Sequence, residues 1–112
     1  MKMSDYQKQS SRTANTHRGP RTDHLANFAL GLTGESGEVA DHIKKYIFHG
    51  HPLHKAELEK ELGDVLWYVS QLVDVLELDL DVVAQKNIDK LRRRYPDGFS
   101  EEDSLNRKDM QG

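Results

Sequence analysis

Two pairs of acids stand three residues apart in this chain. Glu35 and Glu38 lie within Gly34-Glu35-Ser36-Gly37-Glu38-Val39-Ala40-Asp41, and Glu61 and Asp64 close Glu59-Lys60-Glu61-Leu62-Gly63-Asp64. Residues three apart on a helix share a face, so each pair sets two carboxylates side by side. On facing helices the four could surround one or two divalent cations. An all-oxygen donor set favours magnesium, with manganese as the alternative. An isolated Glu-x-x-Glu is more often a solvated helix face. Here the residues four places after Glu35 and Glu61 are Val39 and Val65, so no base stands ready to neutralise either acid along its own helix.

The apolar residues around the acids fix which way they point. With Glu35 at zero on a helical projection, Glu38 falls at roughly 300° and the apolar stripe spans roughly 20° to 140°. The second pair repeats this: with Glu61 at zero, Asp64 falls at roughly 300° and its stripe occupies the same sector. Both pairs therefore sit on the same margin of their cores. A later helix carries other chemistry in that place, with Asn87, Lys90 and Arg94 on the flank of an Ala84, Ile88 and Leu91 core. Cations there would suit an anion brought to the acids by a metal. The six histidines lie outside the pairs, so the Glu-x-x-His arrangement of di-iron bundles is missing. His42 falls beside the acid flank, where it would stand behind the ligands. His49, His51 and His54 cluster at a turn and offer a weak zinc alternative. Trp67 projects opposite the stripe and is expected at a subunit interface. Tyr68 projects near the acids, as a nucleobase contact or a core residue.

The elements that would position these groups are helices. A short one is expected within Met1–Ala14, then a loop over 15–23 with Arg12, Arg18 and Arg21 nearby as a minor phosphate-binding alternative. Asp23 is a plausible N-cap for a long helix to Phe48, carrying Leu25, Phe28, Leu32, Val39, Ile43 and Ile47 at three-and-four spacing. Gly31, Gly34 and Gly37 inside it each cost about 1 kcal/mol against alanine, which is understandable where a helix or a ligand comes close. His49-Gly50-His51-Pro52 ends it. A third helix follows from about His54 to Leu76. A fourth begins after Asp79 or Asp81 and runs to the turn Tyr95-Pro96-Asp97-Gly98. The polar stretch 100–112 is expected to be a mobile or partner-docked tail. No segment alternates with period two. The fold class expected is all-α, a four-helix-bundle-type subunit with two long antiparallel helices, in one domain over 1–112 with its helical core at about 24–95.

Composition excludes several classes. The 112 residues are 36% hydrophobic and 31% charged, which is little apolar material for a self-sufficient core and invites a shared one. A net charge of −3 supplies no field for a nucleic acid polymer. With no cysteine there is no disulfide, thiolate zinc site or thiol nucleophile. No apolar run reaches membrane-spanning length and the start has no apolar leader core, so a cytoplasmic protein is expected.

At these residues the chain resembles the MazG-like all-α nucleoside triphosphate pyrophosphohydrolases. The resemblance rests on Glu35 and Glu38, the spacer 39–60, then Glu61 and Asp64, and on the blocks Gly63-Asp64-Val65-Leu66-Trp67-Tyr68 and Asn87-Ile88-Asp89-Lys90-Leu91-Arg92-Arg93-Arg94-Tyr95-Pro96. It covers about Leu25 to Phe99. It implies a helical bundle binding Mg²⁺ at Glu35, Glu38, Glu61 and Asp64, with Glu35 or Glu38 as general base. It implies cleavage of a (d)NTP between the α and β phosphates to (d)NMP and pyrophosphate, as in house-cleaning of non-standard nucleotides. It also implies a homodimer or homotetramer whose site is completed across subunits, with Asn87, Lys90 and Arg94 on the phosphates. The alternatives are a related enzyme acting on a phosphoribosyl or signalling nucleotide, and a non-catalytic metal-binding oligomeric module.

Overall fold

The computed structural model describes residues 1–14 and 19–110. Five α-helices follow one another: α1 (Met3–Ser10), α2 (Arg21–Phe48), α3 (Lys55–Val75), α4 (Leu80–Arg94) and α5 (Glu101–Asn106). Single 3₁₀ turns stand at Ser11–Thr13 and Lys108–Met110. Among the described residues there is no strand, only a one-residue bridge between Pro96 and Gly98 within a turn. Among the described residues no helix is long and apolar enough to cross a membrane.

The α2–α3 hairpin is the frame. Its turn is made by Gly50, whose φ of +71° lets the His49 and His51 amides both return to the Lys45 carbonyl, at 2.9 and 3.2 Å. The helices then run antiparallel, with the Arg21 Nε donating to the Val75 carbonyl at the far end (3.2 Å). That bond takes Arg21 out of the basic-loop reading, and Arg18 lies outside the described residues. Pro20, not Asp23, holds the N-cap position of α2, and no side chain caps it. Asp23 falls in the first turn instead, where a carboxylate complements the exposed N–H groups of the helix dipole. At α4 the capping expectation holds, because Asp79 accepts from the Asp81 amide at 2.8 Å.

Phe28 of α2 is the pivot of packing. It is 1% exposed and meets the edge of Trp67 at 5.9 Å between centroids. Burying such a ring is worth about 1.5–3 kcal/mol. Gly31, one turn later, is where α3 comes closest: a Cβ there would lie 2.2 Å from the Tyr68 ring. Gly34 and Gly37 face open space. The close approach anticipated at the glycines is thus a neighbouring helix at one of them and a cleft at the other two.

α1 docks across the hairpin through a polar seam. The Ser10 and Ser70 hydroxyls share a 2.8 Å hydrogen bond, and the Gln71 amide donates to Ser10 Oγ (2.9 Å). Gln7 donates to the Leu78 carbonyl and accepts from the Leu80 amide, which also ties in the start of α4. Every one of these buried polar groups has a partner, so the seam fixes register without an unpaired group. Trp67 belongs to this seam. Its Nε1 donates to the Ser10 carbonyl (3.1 Å) and to Thr13 Oγ1 (3.0 Å), so within its own chain the indole is half-buried under the end of α1.

Hydrophobic burial is thin. Among the described residues only Ala14, Phe28, Val73 and Leu80 are buried apolar side chains. Much of the expected α2 and α3 stripe is open, with Ile47 at 60% and Leu62 at 54% exposure. The tail is also corrected. Residues 101–110 are not free: Ser100 caps α5 through the Asp103 amide (3.0 Å), and Asp109 receives two hydrogen bonds from Arg94, at 2.8 and 2.9 Å.

Candidate active site

Glu35 and Glu38 rise from the middle of α2, one turn apart, and Glu61 and Asp64 answer from the first half of α3. The antiparallel crossing at Gly31 and Tyr68 brings the two pairs into one electrostatic cluster. Burial, then the charges of Glu38, Asp64 and Glu61, push the Glu35 carboxyl above the usual carboxylate range, and Glu38 stands within hydrogen-bonding reach of it. Both causes act against the ionised form, because low-dielectric surroundings and like charges each penalise it. The Asp64 charge also contributes, after burial, to raising the Tyr6 phenol, which places α1 beside the same cluster.

Two oxygens of the cluster, Glu35 Oε2 and Glu61 Oε2, are buried without a hydrogen-bond partner. Leaving a buried acceptor unmade costs about 1–3 kcal/mol, more for a charged group. Four convergent acids with orphaned oxygens, and no lysine or arginine ion-paired to any of them among the described residues, fit a hard divalent cation. As they stand, no group of three or more described His, Asp or Glu side chains has closed into a coordination cage. The zinc alternative at the turn gains no support from that arrangement either; the His49 and His51 rings lie 6.4 Å apart.

Beside the acids opens a cleft of about 390 Å³, lined by Gly34, Gly37, Glu38, His42, His54 and Glu61 among others. Lys45 also borders it but is held by Asp41 at 2.8 Å. Asp41, bonded to Lys45 and near Lys44, is held below the usual carboxylate range. Like Asp23 in the first turn, it is an acid of α2 that stands outside the cluster.

Of the other expected site residues, Tyr68 stands one turn after Asp64, whereas Asn87, Lys90 and Arg94 lie on α4. Tyr68 packs its ring over Gly31 and edge-on to Trp67 (5.0 Å), so it serves the helix crossing. Asn87 is exposed and Lys90 partly so, on a helix that packs against α1, the end of α3 and the C-terminal segment, not along α2. Arg94 is engaged by Asp109, whose side chain is 1% exposed, and stays paired within its own chain. Sequence reasoning missed Asp109 because it stands 15 residues from Arg94, beyond any helical periodicity. It also left the contact between His42 and Glu61, 3.7 Å from Nδ1 to Oε2, at the level of proximity.

An all-helical hairpin thus sets a carboxylate cluster beside an open cleft. The sequence pattern of the MazG nucleotide pyrophosphohydrolase domain matches residues 24–99, and the chain belongs to that family. It is 37% identical over 87 residues to the Gene 37 protein of Mycobacterium phage L5, covering 74% of this chain and 76% of that one. It is 35% identical over 77 residues to dCTP pyrophosphatase 1 of Homo sapiens, covering 62% of this chain and 45% of the human protein. No solved structure matches.

Proposed function

We propose that this chain is a Mg²⁺-dependent pyrophosphohydrolase that cleaves a (deoxy)nucleoside triphosphate between the α and β phosphates, giving the monophosphate and pyrophosphate. The observation that carries the reading is the uncompensated charge of the acid cluster: Glu35 is pushed up by burial and by three neighbouring carboxylates, and two buried oxygens lack partners. Glu35, Glu38, Glu61 and Asp64 would hold the cation. Bound there, Mg²⁺ neutralises phosphate charge and lowers the pKa of water, with Mn²⁺ as a substitute. The residues do the rest. The Glu35–Glu38 pair takes the proton of the attacking water, its two carboxyls already within reach of each other. The cleft beside Glu38 and Glu61 admits the triphosphate.

The single domain over 1–112 works as a homodimer or homotetramer in this reading. Leu62, Ile47 and Phe48 on the hairpin and Val82 and Ile88 on α4 are all more than 40% exposed, and the four buried apolar side chains among the described residues are few for a chain of this size. Asn87 and Lys90, remote from the acids of their own chain, would meet the phosphates of a partner subunit's site. Arg94 is not carried into that role, because Asp109 holds it. Incubation with Mg²⁺ and a panel of nucleotides, products separated by chromatography, tests the reaction. dCTP leads the panel because of the human relative's name. Monophosphate and pyrophosphate are the expected first products. Orthophosphate as the first product, or survival of every nucleotide, overturns the reading.

A further inference from the structure

His42 stands on α2 one turn after Glu38, its side chain 16% exposed, and its two ring nitrogens face different partners. Nε2 accepts the backbone N–H of His54, at 3.4 Å. An amide N–H can only donate, so this nitrogen is unprotonated and the ring hydrogen sits on Nδ1. Nδ1 points at Glu61 Oε2, 3.7 Å away. That separation is longer than a hydrogen bond, and Glu61 Oε2 is buried with none. The His54 ring lies edge-on to His42 at 6.1 Å, backing the same orientation. Of the other acids lining the cleft, Asp41 is taken by Lys45 at 2.8 Å and Lys44 at 3.5 Å, and Glu38 stands within hydrogen-bonding reach of Glu35. A donor is therefore aimed at the one orphaned oxygen within its reach.

We propose that His42 is a positioning residue for Glu61: its Nδ1–H closes onto Glu61 Oε2 when the other oxygen of that carboxylate takes the cation. The inference rests on the reading of Glu61 as a cation ligand. Carboxylates that bind metals are themselves held by outer hydrogen bonds, and losing such a partner typically costs 10–100-fold in metal affinity. The His54 amide holds the donor in its tautomer, so the hairpin turn is coupled to the site through one ring.

The test is Mn²⁺ binding to the full chain, followed by calorimetry and electron paramagnetic resonance. His42→Phe keeps the ring and removes the donor; affinity is expected to fall about tenfold or more, with the metal-free melting temperature held. His42→Asn places an amide N–H near the position of Nδ1 and is expected to restore most of that loss. Equal affinity for all three proteins overturns the proposal while leaving Glu61 as a ligand. Direct nitrogen coupling to the bound Mn²⁺ overturns it in another way, by making His42 itself a ligand. A wild-type chain that binds no Mn²⁺ removes the ligand reading and this one together. Should His42→Phe fail to fold, the unsubstituted protein carries the test: the His42 Nδ1–H nitrogen resonance is expected to shift on adding Mg²⁺, and an unmoved resonance overturns the proposal.

Discussion

Two carboxylate sites of this molecule are built on opposite principles. At the C-terminal segment, Asp109 is enclosed and answered by the Arg94 fork, with Arg107 beside it at 3.4 Å. Those hydrogen bonds hold the Asp109 carboxyl far below its usual range and the Arg94 guanidinium above its own. At the hairpin, half-buried Glu35 is answered only by other acids, and its carboxyl is pushed up. One site has its counter-charge in the chain; the other has no lysine or arginine ion-paired to it among the described residues. A buried pair is complete and can only hold structure. A cluster of like charges repels itself, and perturbed carboxyls of that kind gather at functional sites.

The contrast can be broken most forcefully at the hairpin. Glu38→Gln and Asp64→Asn are each expected to lower pyrophosphate release at least about 100-fold, since each removes a charge the cation needs. Helix content by circular dichroism should be unchanged, and the metal-free protein should melt no lower than wild type, because a repulsion has been removed. A marked loss of folding in either variant would make the cluster structural and end the contrast.

Asp109→Asn should do the reverse. Leaving Arg94 without its partner is expected to lower the melting temperature by several degrees and to open residues 101–110 to protease, with turnover per folded molecule retained. A variant that lost turnover but not stability would place Arg94 in the reaction after all.

The smallest effect is the pH response, and here the two sites should differ in sign. Asp109 is depressed in the folded state, so its contribution is present above the ordinary carboxylate pKa and is lost as pH falls through the lower folded value. Glu35 is raised, so the folded protein binds the extra proton between the ordinary and the raised values, and stability falls as pH rises through that window. Metal-free melting curves should therefore show a rise in stability just above the ordinary carboxylate range on acidification, then a fall below it. Asp109→Asn should remove the fall, and Glu35→Gln the rise.

What was readable in the sequence was what helical geometry alone decides. The acid pairs, the Asp79 cap and the turn at Gly50 depend on residues within one turn of each other, and all stand where the periodicity places them. What was not readable required two elements to meet. Trp67 projects away from the α3 stripe and reads as exposed, yet Ser10 and Thr13 of α1 cover it, and no pattern in α3 announces α1. Arg94 and Asp109 meet only because α5 turns the chain back on α4. Gly31, Gly34 and Gly37 look alike in the sequence, and only the position of Tyr68 separates the first from the others.

Trp67 is the sole tryptophan of the chain. Its indole N–H is held by the end of α1, its ring meets Phe28 of α2, and it follows Asp64 by one helical turn. The molecule thus carries a built-in optical gauge: emission should move to longer wavelength if α1 lifts from the hairpin, before any helix is lost. Titrating a cation while watching that emission would register whether filling the acid cluster tightens or loosens the docking of α1 on the hairpin.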